Sequence, residues 1–553
     1  MASETFDDLN EQMLLRLLST NPDCATVFGR HDPYDRQLPH GGYRKIGDNL
    51  SMLVEWAKVA DEIASRDDLP RDREVSLRVL RFTLDTYRFA VEDYPLWRMR
   101  PEALETPGTA MLMMLVRDYA PLAERLESLA ARVGELPRYL EQFRGRFAGS
   151  RCVRIWTEAA LESCRGFPSF LDAVLKIARA SAGIRAKAEM ERNAVAAKEE
   201  LRAHEAWLSG MLDSSVNEFA MGRASYTKLM RIRGIPFTPD ELLELAERHM
   251  DESARQREAV AKRIVGSGTV DDARKIVESE HPGNMDDVVR RTEATVERAM
   301  RFVIEKDLAT VPPGSRVHVM KTPEFLRDST TSAATYLPAV FEQIQDTVFL
   351  ITGTDDPAAL GRAWNHSAID DTVVHEAYPG HHYQGVMSNK MPWMHQLPHI
   401  MYTSETLSPP YESQEGWATY CESMMQEKGF LGSDWHALGM LDYAIWTACR
   451  TIAEVKLSCG DATVEEMIDM TVRESGSPRA YAEADVKGFT RMPGYGMCYL
   501  VGRHLVTALK RDLREELGAG FSEKRFHDLV AGNGNLPFHL LEAEVRAGMR
   551  GHA

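Results

Sequence analysis

Hydrophobic residues recur three and four positions apart through most of the first 300 residues, the spacing that places them on one face of an α-helix. Leu53, Trp56 and Val59 begin one such series. Thr238 followed by Pro239 marks the start of another, because threonine caps helices and proline fits the first helical position. The stretches with this spacing are 49–92, 109–146, 151–182, 186–213, 238–264 and 286–306. We therefore predict that this part of the chain is largely helical.

The pattern changes after residue 306. Residues 312–314 (Pro-Pro-Gly) interrupt the helical spacing, residues 316–320 alternate, and residues 347–352 form a β-branched and aromatic run, so two short strands are expected. Helical spacing returns at about 411–428, 434–458, 463–475 and 493–516. The sequence thus predicts a mainly α-helical protein with a small β-sheet. We expect a helical N-terminal region (1–305) that covers a cleft, and a second region (306–553) that holds the sheet and further helices.

Composition limits the partners and the compartment. At 553 residues, the chain is too long for one ordinary hydrophobic core. Its 66 basic and 83 acidic side chains give a net charge of −17, which disfavours nucleic acid or an anionic membrane as partner. The sequence has no signal-peptide pattern, no apolar run approaching the roughly 18–20 residues of a membrane span, and seven scattered cysteines without a CxxC pair. These features predict a cytoplasmic protein with buried, reduced thiols.

Three of the seventeen histidines lie in the segment 375–382 (HEAYPGHH). A catalytic zinc needs imidazole ligands and a base for the water that it activates. In the short HExxH motif, the two histidines are four positions apart and share one helix face. His375 and His381 are six apart, so a regular helix would separate them by about 9 Å of rise and about 240° of rotation. His382 returns to the same face, but about 10.5 Å along the axis.

The residues between these histidines can remove the geometric obstacle. Pro379 has no N–H, and its ring clashes with the carbonyl four residues earlier, which belongs to His375. Gly380 tolerates unusual backbone angles. A bulge or kink here can carry the second histidine back toward the first. We predict a kinked helix with His375 and His381 as ligands of one zinc ion, and His382 as the alternative second ligand.

A third ligand is expected from the segment 412–422. Glu415 and Glu422 are seven positions apart, so both can face one way on a helix. We assign Glu415 to the metal and Glu422 to the support of a histidine ligand. Glu376 is then the general base that takes a proton from the water attacking a carbonyl. Asn365 and His366 are further candidates for supporting the ligands.

The segments 375–382 and 415–422 match the patterns HExxPGHH and EGWAxYxE, and in them the chain resembles the domain-of-unknown-function 885 family of bacterial and archaeal proteins. Segments 21–29 and 34–39 are similar to the N-terminal pattern of that family, and segment 493–499 is similar to its late PGQxxxY element. The resemblance therefore extends over most of the chain.

The resemblance implies a distant relationship with the gluzincin metallopeptidases, which are largely helical with a small sheet beside the zinc helix. It implies a zinc-dependent peptidase, of the carboxypeptidase or dipeptidase type. Carried over residue by residue, it gives His375, His381 and Glu415 as ligands and Glu376 as the base. We expect these residues in the second region, which would then be catalytic.

The sequence departs from the family pattern at Tyr495, where glutamine is usual. A different substrate, or a tyrosine that stabilises an oxyanion, would explain the change, and Tyr499 is a second candidate for that role. Arg491 could pair with a substrate carboxylate. The family usually has an RPG-containing strand before the metal helix, and residues 343–353 lack that arginine. The substrate is therefore less well defined than the metal ligands.

Other functions fit parts of this pattern. Two histidines and one carboxylate also form the site of non-haem iron enzymes. A small-molecule amide could replace a peptide as substrate, and a non-catalytic protein could bind a peptide in the same cleft. The strand at 347–352 could pair with an extended peptide if it lies at the edge of its sheet. The leading prediction is a zinc metallopeptidase-like hydrolase whose partner is a peptide or small amide, with the oligomeric state left open.

Overall fold

The computed structural model describes residues 2–66, 69–181, 183–322, 333–395, 407 and 409–551. Most of these residues are helical, and the remainder includes one small sheet, which confirms the predicted fold class of a mainly α-helical protein. The first thirteen helices are α1 (Ala2–Thr20), α2 (Pro22–Val27), α3 (Tyr43–Arg66), α4 (Arg71–Arg88), α5 (Leu96–Met99), α6 (Glu105–Val116), α7 (Leu122–Gly145), α8 (Arg154–Ser181), α9 (Ile184–Leu212), α10 (Arg223–Arg233), α11 (Pro239–Val265), α12 (Val270–Ser279) and α13 (Met285–Glu305).

The sheet follows α13, and further helices follow the sheet. The strands are β1 (Val317–Lys321), β2 (Ala333–Tyr336) and β3 (Thr347–Ile351). The later helices are α14 (Pro357–Trp364), α15 (His366–Glu376), α16 (His381–Ser388), α17 (Glu415–Glu427), α18 (Asp434–Cys459), α19 (Val464–Ser475), α20 (Arg479–Arg491), α21 (Cys498–Leu517), α22 (Glu523–Gly532) and α23 (Phe538–Arg550).

The strand β3 is the centre of the sheet. It pairs in parallel with β1, where Val319 lies opposite Phe349, and antiparallel with β2. All five residues of β3 are buried, as its β-branched and aromatic composition favours. Because both of its edges are already paired, β3 cannot accept a peptide as an added strand, so that suggested docking mode is wrong.

The chain divides into two compact units. Unit 1 comprises Met1–Phe219, Ala339–Ile344 and Pro392–Leu407, and unit 2 comprises Ala220–Pro338, Gln345–Met391 and Ser408–Ala553. The border predicted near residue 305 therefore falls inside unit 2. The helix α11 packs along α18, and α13 packs against α15 and β1. Helical periodicity marks the buried face of each helix, but it does not say which later element covers that face.

Local signals explain where the helices begin. Thr238 caps α11: its hydroxyl accepts a hydrogen bond from the N–H of Glu241, whose carboxylate accepts one from the N–H of Thr238. The helix predicted from residue 493 begins five residues later, at Cys498. Gly494 has a φ of 93°, a left-handed conformation that glycine adopts without strain, and so it forms a turn instead of a helical start.

The cysteines are mostly buried side chains. All seven cysteines are free thiols, and six of them are buried. Within the described ranges, no helix combines the length and the apolar character that crossing a membrane requires.

Candidate metal centre

The segment between His375 and His381 breaks the helix instead of bending it. The helix α15 ends at Glu376, residues 377–380 form a connection, and α16 begins at His381. A Cβ atom on Gly380 would lie 1.8 Å from the carbonyl oxygen of His375, so only glycine allows the chain to turn back over the end of α15. The kinked single helix expected from the sequence is therefore two helices, and the break releases the second histidine from the axis of the first helix.

The three predicted ligands converge. The imidazole rings of His375 and His381 are 4.7 Å apart and nearly perpendicular, at 87°. Glu415, the first residue of α17, places its Oε2 atom 3.4 Å from Nε2 of His375 and 3.3 Å from Nε2 of His381. One potential ligand atom of each of the three residues lies within 4.8 Å of the others. The structure thus brings together two imidazoles and a carboxylate that are far apart in the sequence.

This donor set fits a small divalent cation. Two atoms that each lie about 2.0–2.1 Å from a tetrahedral zinc are about 3.4 Å apart, close to the distances from Glu415 to the two histidines. The Oε2 atom of Glu415 is buried and has no well-formed hydrogen bond among the described residues. A buried carboxylate oxygen is costly without a partner, and a cation bound between the three side chains would provide one.

His382, the alternative second ligand, has a different role. Its Nδ1 atom lies 2.7 Å from the hydroxyl of Thr347, and its Nε2 atom lies 3.0 Å from the hydroxyl of Tyr378. The side chain is fully buried, and burial lowers its pKa to about 4. Because both ring nitrogens are engaged, His382 anchors α16 to β3 and is not available as a ligand beside Glu415.

Two further carboxylates surround His375. Glu422 lies in the position expected for a supporting residue, with Oε1 2.6 Å from Nδ1 of His375. Asp371, one helical turn before His375 on α15, was not predicted. Burial and the charge of Glu422 raise the pKa of Asp371 well above its usual value, and its Oδ1 atom is buried without a hydrogen-bond partner among the described residues. The spacing of four positions from His375 was the signal that could have identified it.

The acidic surroundings change the charge of His375. Burial opposes its protonation, but the nearby carboxylates of Glu415 and Glu422, together with the charge of Glu376, raise its pKa well above the usual value. Conversely, burial opposes ionisation of Glu415, but the charges of His381 and His375 hold the pKa of Glu415 below its usual range. The three side chains therefore favour a protonated His375 beside an ionised Glu415, and a bound metal ion would supply the positive charge in place of that proton.

The glutamate helix is held tightly against its neighbours. A Cβ on Gly416 would come within 2.4 Å of the Cα of Gly502, so α17 and α21 can cross this closely only because both positions are glycine. The indole N–H of Trp417 donates to the carbonyl of Pro379 at 2.9 Å, and this bond joins α17 to the connection between the two histidines. The EGWA motif therefore fixes the position of Glu415 relative to the broken helix.

Tyrosines form one wall of the cluster. The ring of Tyr499 stacks against His375 at 6.3 Å with an angle of 16° between the planes, and Tyr443 contacts the same imidazole edge-on at 6.2 Å. The hydroxyls of Tyr495 and Tyr499 are 2.8 Å apart. Burial and the charge of Glu415 raise the pKa of both Tyr495 and Tyr499. Both phenols therefore keep their protons at neutral pH and can donate hydrogen bonds.

Arg491 and Arg450 lie on two helices that pack together, α20 and α18. Arg491, predicted to bind a substrate carboxylate, is the last residue of α20 and is half-buried; its role stays a prediction. Arg450 on α18 was missed, although its guanidinium carbon lies 4.4 Å from the centre of the Tyr499 ring. Tyr443, Trp446 and Arg450 have helical spacing, and such a stripe in a sequence is read as core packing.

The predicted base and the predicted supporting residues on α15 lie at its two ends. Glu376 follows His375 directly and is partly exposed, so water and substrate can reach its carboxylate. Asn365 caps the helix start, where its side-chain oxygen accepts a hydrogen bond from the N–H of Ala368 at 3.0 Å. Asn365 is therefore a structural residue, and burial lowers the pKa of the neighbouring His366.

Comparison with known proteins agrees with the resemblance seen in the sequence motifs. The pattern of the family described as "Bacterial protein of unknown function (DUF885)" matches residues 22–545. The chain belongs to this family. No curated relative matches the sequence of this DUF885 protein.

Solved structures with the same fold are known. One is a candidate lipoprotein of unknown function from Shewanella oneidensis, with 20% identity, a TM-score of 0.77, and coverage of 97% of this chain and 99% of that one. Another is a candidate lipoprotein from Colwellia psychrerythraea, with 15% identity, a TM-score of 0.83, and coverage of 100% and 99%. At this identity the likeness shows the fold of the DUF885 protein alone.

These neighbours correct the predicted compartment. Both are described as candidate lipoproteins, a class attached to a membrane of the cell envelope through a lipid. The comparison contradicts the cytoplasmic location predicted from the scattered cysteines and the lack of a signal-peptide pattern. The physical reason is that buried thiols are protected by packing in any compartment, so reduced cysteines do not identify the cytoplasm.

Proposed function

We propose that this DUF885 protein is a metal-dependent hydrolase of peptide or amide bonds, with one zinc ion held by His375, His381 and Glu415. The observation that supports the proposal most directly is the approach of two imidazole nitrogens to one buried carboxylate oxygen, at 3.4 and 3.3 Å. When bound, the cation supplies a Lewis acid that polarises a carbonyl and makes water easier to deprotonate. Another divalent metal could occupy the same donors.

Glu376 is the proposed general base. Its carboxylate accepts a proton from the water that attacks the carbonyl carbon, and then returns this proton to the nitrogen of the departing amine. Its position directly after His375 and its partial exposure support this role. Glu422 accepts the Nδ1 hydrogen of His375, which fixes the ring orientation and leaves Nε2 directed at Glu415.

Tyr495 and Tyr499 are the proposed donors to the negative charge that develops on the carbonyl oxygen. A hydrogen-bond donor aimed at this oxygen stabilises the transition state more than the substrate. Their hydroxyls are 2.8 Å apart, and Tyr499 stacks on His375. Since burial raises the pKa of both phenols, they act as neutral donors.

We also propose a gluzincin-like organisation of this site. Three features support it: a glutamate directly after the first histidine, a glutamate ligand from a later helix, and a small sheet adjoining the metal helices through the contact between Thr347 and His382. The interruption between His375 and His381 distinguishes the site from an HExxH helix, in which both histidines lie on continuous turns.

The test is metal analysis of the purified full-length protein, followed by hydrolysis of a panel of dipeptides and N-acyl amino acids. We expect one zinc per chain, and activity that a chelator removes and zinc restores. Glu376→Gln should retain zinc but lower the rate by about 10²–10⁴-fold, the contribution of a general base. Glu427→Gln, an exposed position on α17, is the matched control and should leave the rate unchanged.

Three outcomes would contradict the proposal. A metal-free protein whose activity ignores the chelator would exclude metal-dependent hydrolysis. Oxygen consumption with ferrous iron would instead favour a non-haem iron enzyme with the same donors. Recovery of an intact peptide bound to the metal-loaded wild-type protein after prolonged incubation would favour a binding role.

A further inference from the structure

Arg450 is a buried cation in an aromatic box beside the candidate metal centre. The residue is 5% exposed. Its guanidinium carbon lies 4.1 Å from the ring centre of Trp446 and 4.4 Å from that of Tyr499. Phe489 and Tyr495 complete the box at 5.2 and 5.5 Å. Aromatic faces attract the cation, but they do not replace the hydrogen bonds that its N–H groups lose on burial.

Two of the three nitrogen atoms of the Arg450 guanidinium have no hydrogen-bond acceptor within the described residues. Its Nη2 atom donates to Oδ1 of Asp485 at 3.3 Å, a long single contact. Its Nε and Nη1 atoms are buried, and within the described part of the chain neither has a hydrogen-bond partner. In the same unit, the buried Arg233 pairs with Glu412, which is itself fully buried. Arg450 pairs with Asp485 through this one long contact, so its Nε and Nη1 donors remain suited to an acceptor supplied by a ligand.

The position of Arg450 relates these donors to the reaction centre. The ring of Tyr499 contacts both groups: it lies 6.3 Å from the His375 ring and 4.4 Å from the guanidinium carbon of Arg450. The guanidinium is therefore one aromatic ring away from a proposed metal ligand. The two contacts keep the guanidinium carbon within about 11 Å of the centre of the His375 ring. Adjacent Cα atoms of a peptide are about 3.8 Å apart, so a scissile amide and one further residue, with their contacts to both groups, can span such a separation.

We propose that Arg450 binds the free α-carboxylate of the substrate, on the leaving-group side of the scissile amide. This inference rests on the proposed hydrolase function and names its substrate class: peptides or N-acyl amino acids with an unblocked C-terminus. The unpartnered N–H groups donate to the carboxylate oxygens, and the aromatic box excludes water from this contact, which strengthens it. A carboxamide carries no charge, so it gains much less from the same donors. The protein is thereby an exo-acting enzyme.

The test is calorimetric binding to the zinc-loaded Glu376→Gln protein, in which hydrolysis does not consume the ligand. The probes are N-benzoyl-glycyl-L-phenylalanine and its C-terminal carboxamide. We expect the free acid to bind at least about 10-fold more tightly, as a charge-assisted hydrogen bond allows. Adding Arg450→Gln should make the two affinities equal, and Arg450→Lys should retain part of the difference. Arg257→Gln, which removes an arginine paired with Asp442 on the same helix as Arg450, should preserve it.

The outcomes separate this inference from the proposed function. Equal affinities in the parent protein, no binding of the acid, or a preference that survives Arg450→Gln would overturn the role of Arg450. Because the acid-to-amide ratio is first measured with Arg450 in place, the test holds even where Arg450→Gln fails to fold. A preference for the acid without any hydrolysis by the wild type would refute the hydrolase and keep the carboxylate site. Equal hydrolysis of acid and amide would keep the hydrolase function and refute the carboxylate site.

Discussion

The two units each place a partly buried histidine among carboxylates, but they neutralise those carboxylates differently. In unit 1, His31 lies 3.1 Å from Asp35 and 3.3 Å from Glu342. Arg117 is 3.7 Å from Glu342, and the fully buried Arg132 feels the charge of Asp35. Arginine side chains of the same unit therefore supply the positive charge that balances Asp35 and Glu342.

In unit 2, three carboxylates lie around one histidine, and direct ion pairs with described lysines or arginines do not balance them. Glu415, Glu422 and Asp371 surround His375, and no lysine or arginine of the described ranges forms an ion pair with any of the three. One potential ligand atom each of His375, His381 and Glu415 lies within 4.8 Å of the others. A buried histidine with carboxylates is therefore not enough to make a metal site. On the proposed function, the difference lies in convergent donors that no described lysine or arginine pairs with directly.

The two clusters should differ most in metal affinity. Changing His381 to alanine removes one of three proposed ligands, so we expect the zinc affinity to fall by on the order of 10³-fold, more than the 10–100-fold typical of losing a supporting residue. Changing His31 to alanine in unit 1 should leave one zinc per chain. The measurement is the dissociation constant from competition with a chromogenic chelator. Equal losses in the two variants would remove the distinction between the clusters.

Unit 1 should respond in stability instead of metal content. Asp35→Asn removes the charge that faces His31 and Arg132, and leaves them only Glu342 and Asp23, respectively, as acidic partners. We expect the free energy of unfolding to fall by about 3 kcal/mol, with zinc content unchanged. Urea denaturation followed by circular dichroism measures the loss, and Asp32→Asn at an exposed neighbouring position is the control. A stable Asp35→Asn variant that loses zinc would contradict the assignment of a structural role to this cluster.

Glu422 tests the support given to the metal ligands. Glu422→Gln keeps the size of the side chain but weakens its bond to Nδ1 of His375, now 2.6 Å long. We expect zinc affinity to fall by about 10–100-fold, the usual effect of losing a partner of a histidine ligand. The same chelator competition measures it, with Glu427→Gln as control. An unchanged affinity would mean that Glu422 holds the fold and not the ligand.

The convergence of His375, His381 and Glu415 was predictable from the sequence because its signals are local. The Pro-Gly pair at 379–380 announces a break, and the spacing of Glu415 and Glu422 indicates one helix face. The break itself was expected as a kink, since the sequence does not reveal that Gly380 meets the His375 carbonyl. The choice between His381 and His382 was also open, because it depends on Thr347, a residue from a distant strand.

The features that the sequence did not predict depend on contacts between distant segments. Arg450 and Tyr443 carry a helical spacing that indicates packing, and only the position of Tyr499 turns that face into a wall of the site. The compact units depend on distant contacts in a similar way: α11 and α13 precede the sheet but pack on α18 and α15, which follow it. Periodicity predicts that a face is buried, whereas the partner of that face is set by the complete fold.

The smallest expected effect is an opposite dependence of the two units on pH. Burial opposes protonation of His31, but hydrogen bonds with Asp35 and Glu342 raise its pKa above 6.5, so its stabilising contribution is full below pH 6.5 and is lost as the pH rises through the raised pKa.

Burial lowers the pKa of His527 to about 4. Its contribution is present above pH 6.5 and declines as the pH falls toward 4, by about 1 kcal/mol between pH 6.5 and 5.5. Protection factors, which correct hydrogen exchange for its intrinsic dependence on pH, should therefore fall in α2 at high pH and in α22 at low pH. His31→Gln should flatten only the first response and His527→Gln only the second, and if either variant flattened both, the two histidines would not titrate independently.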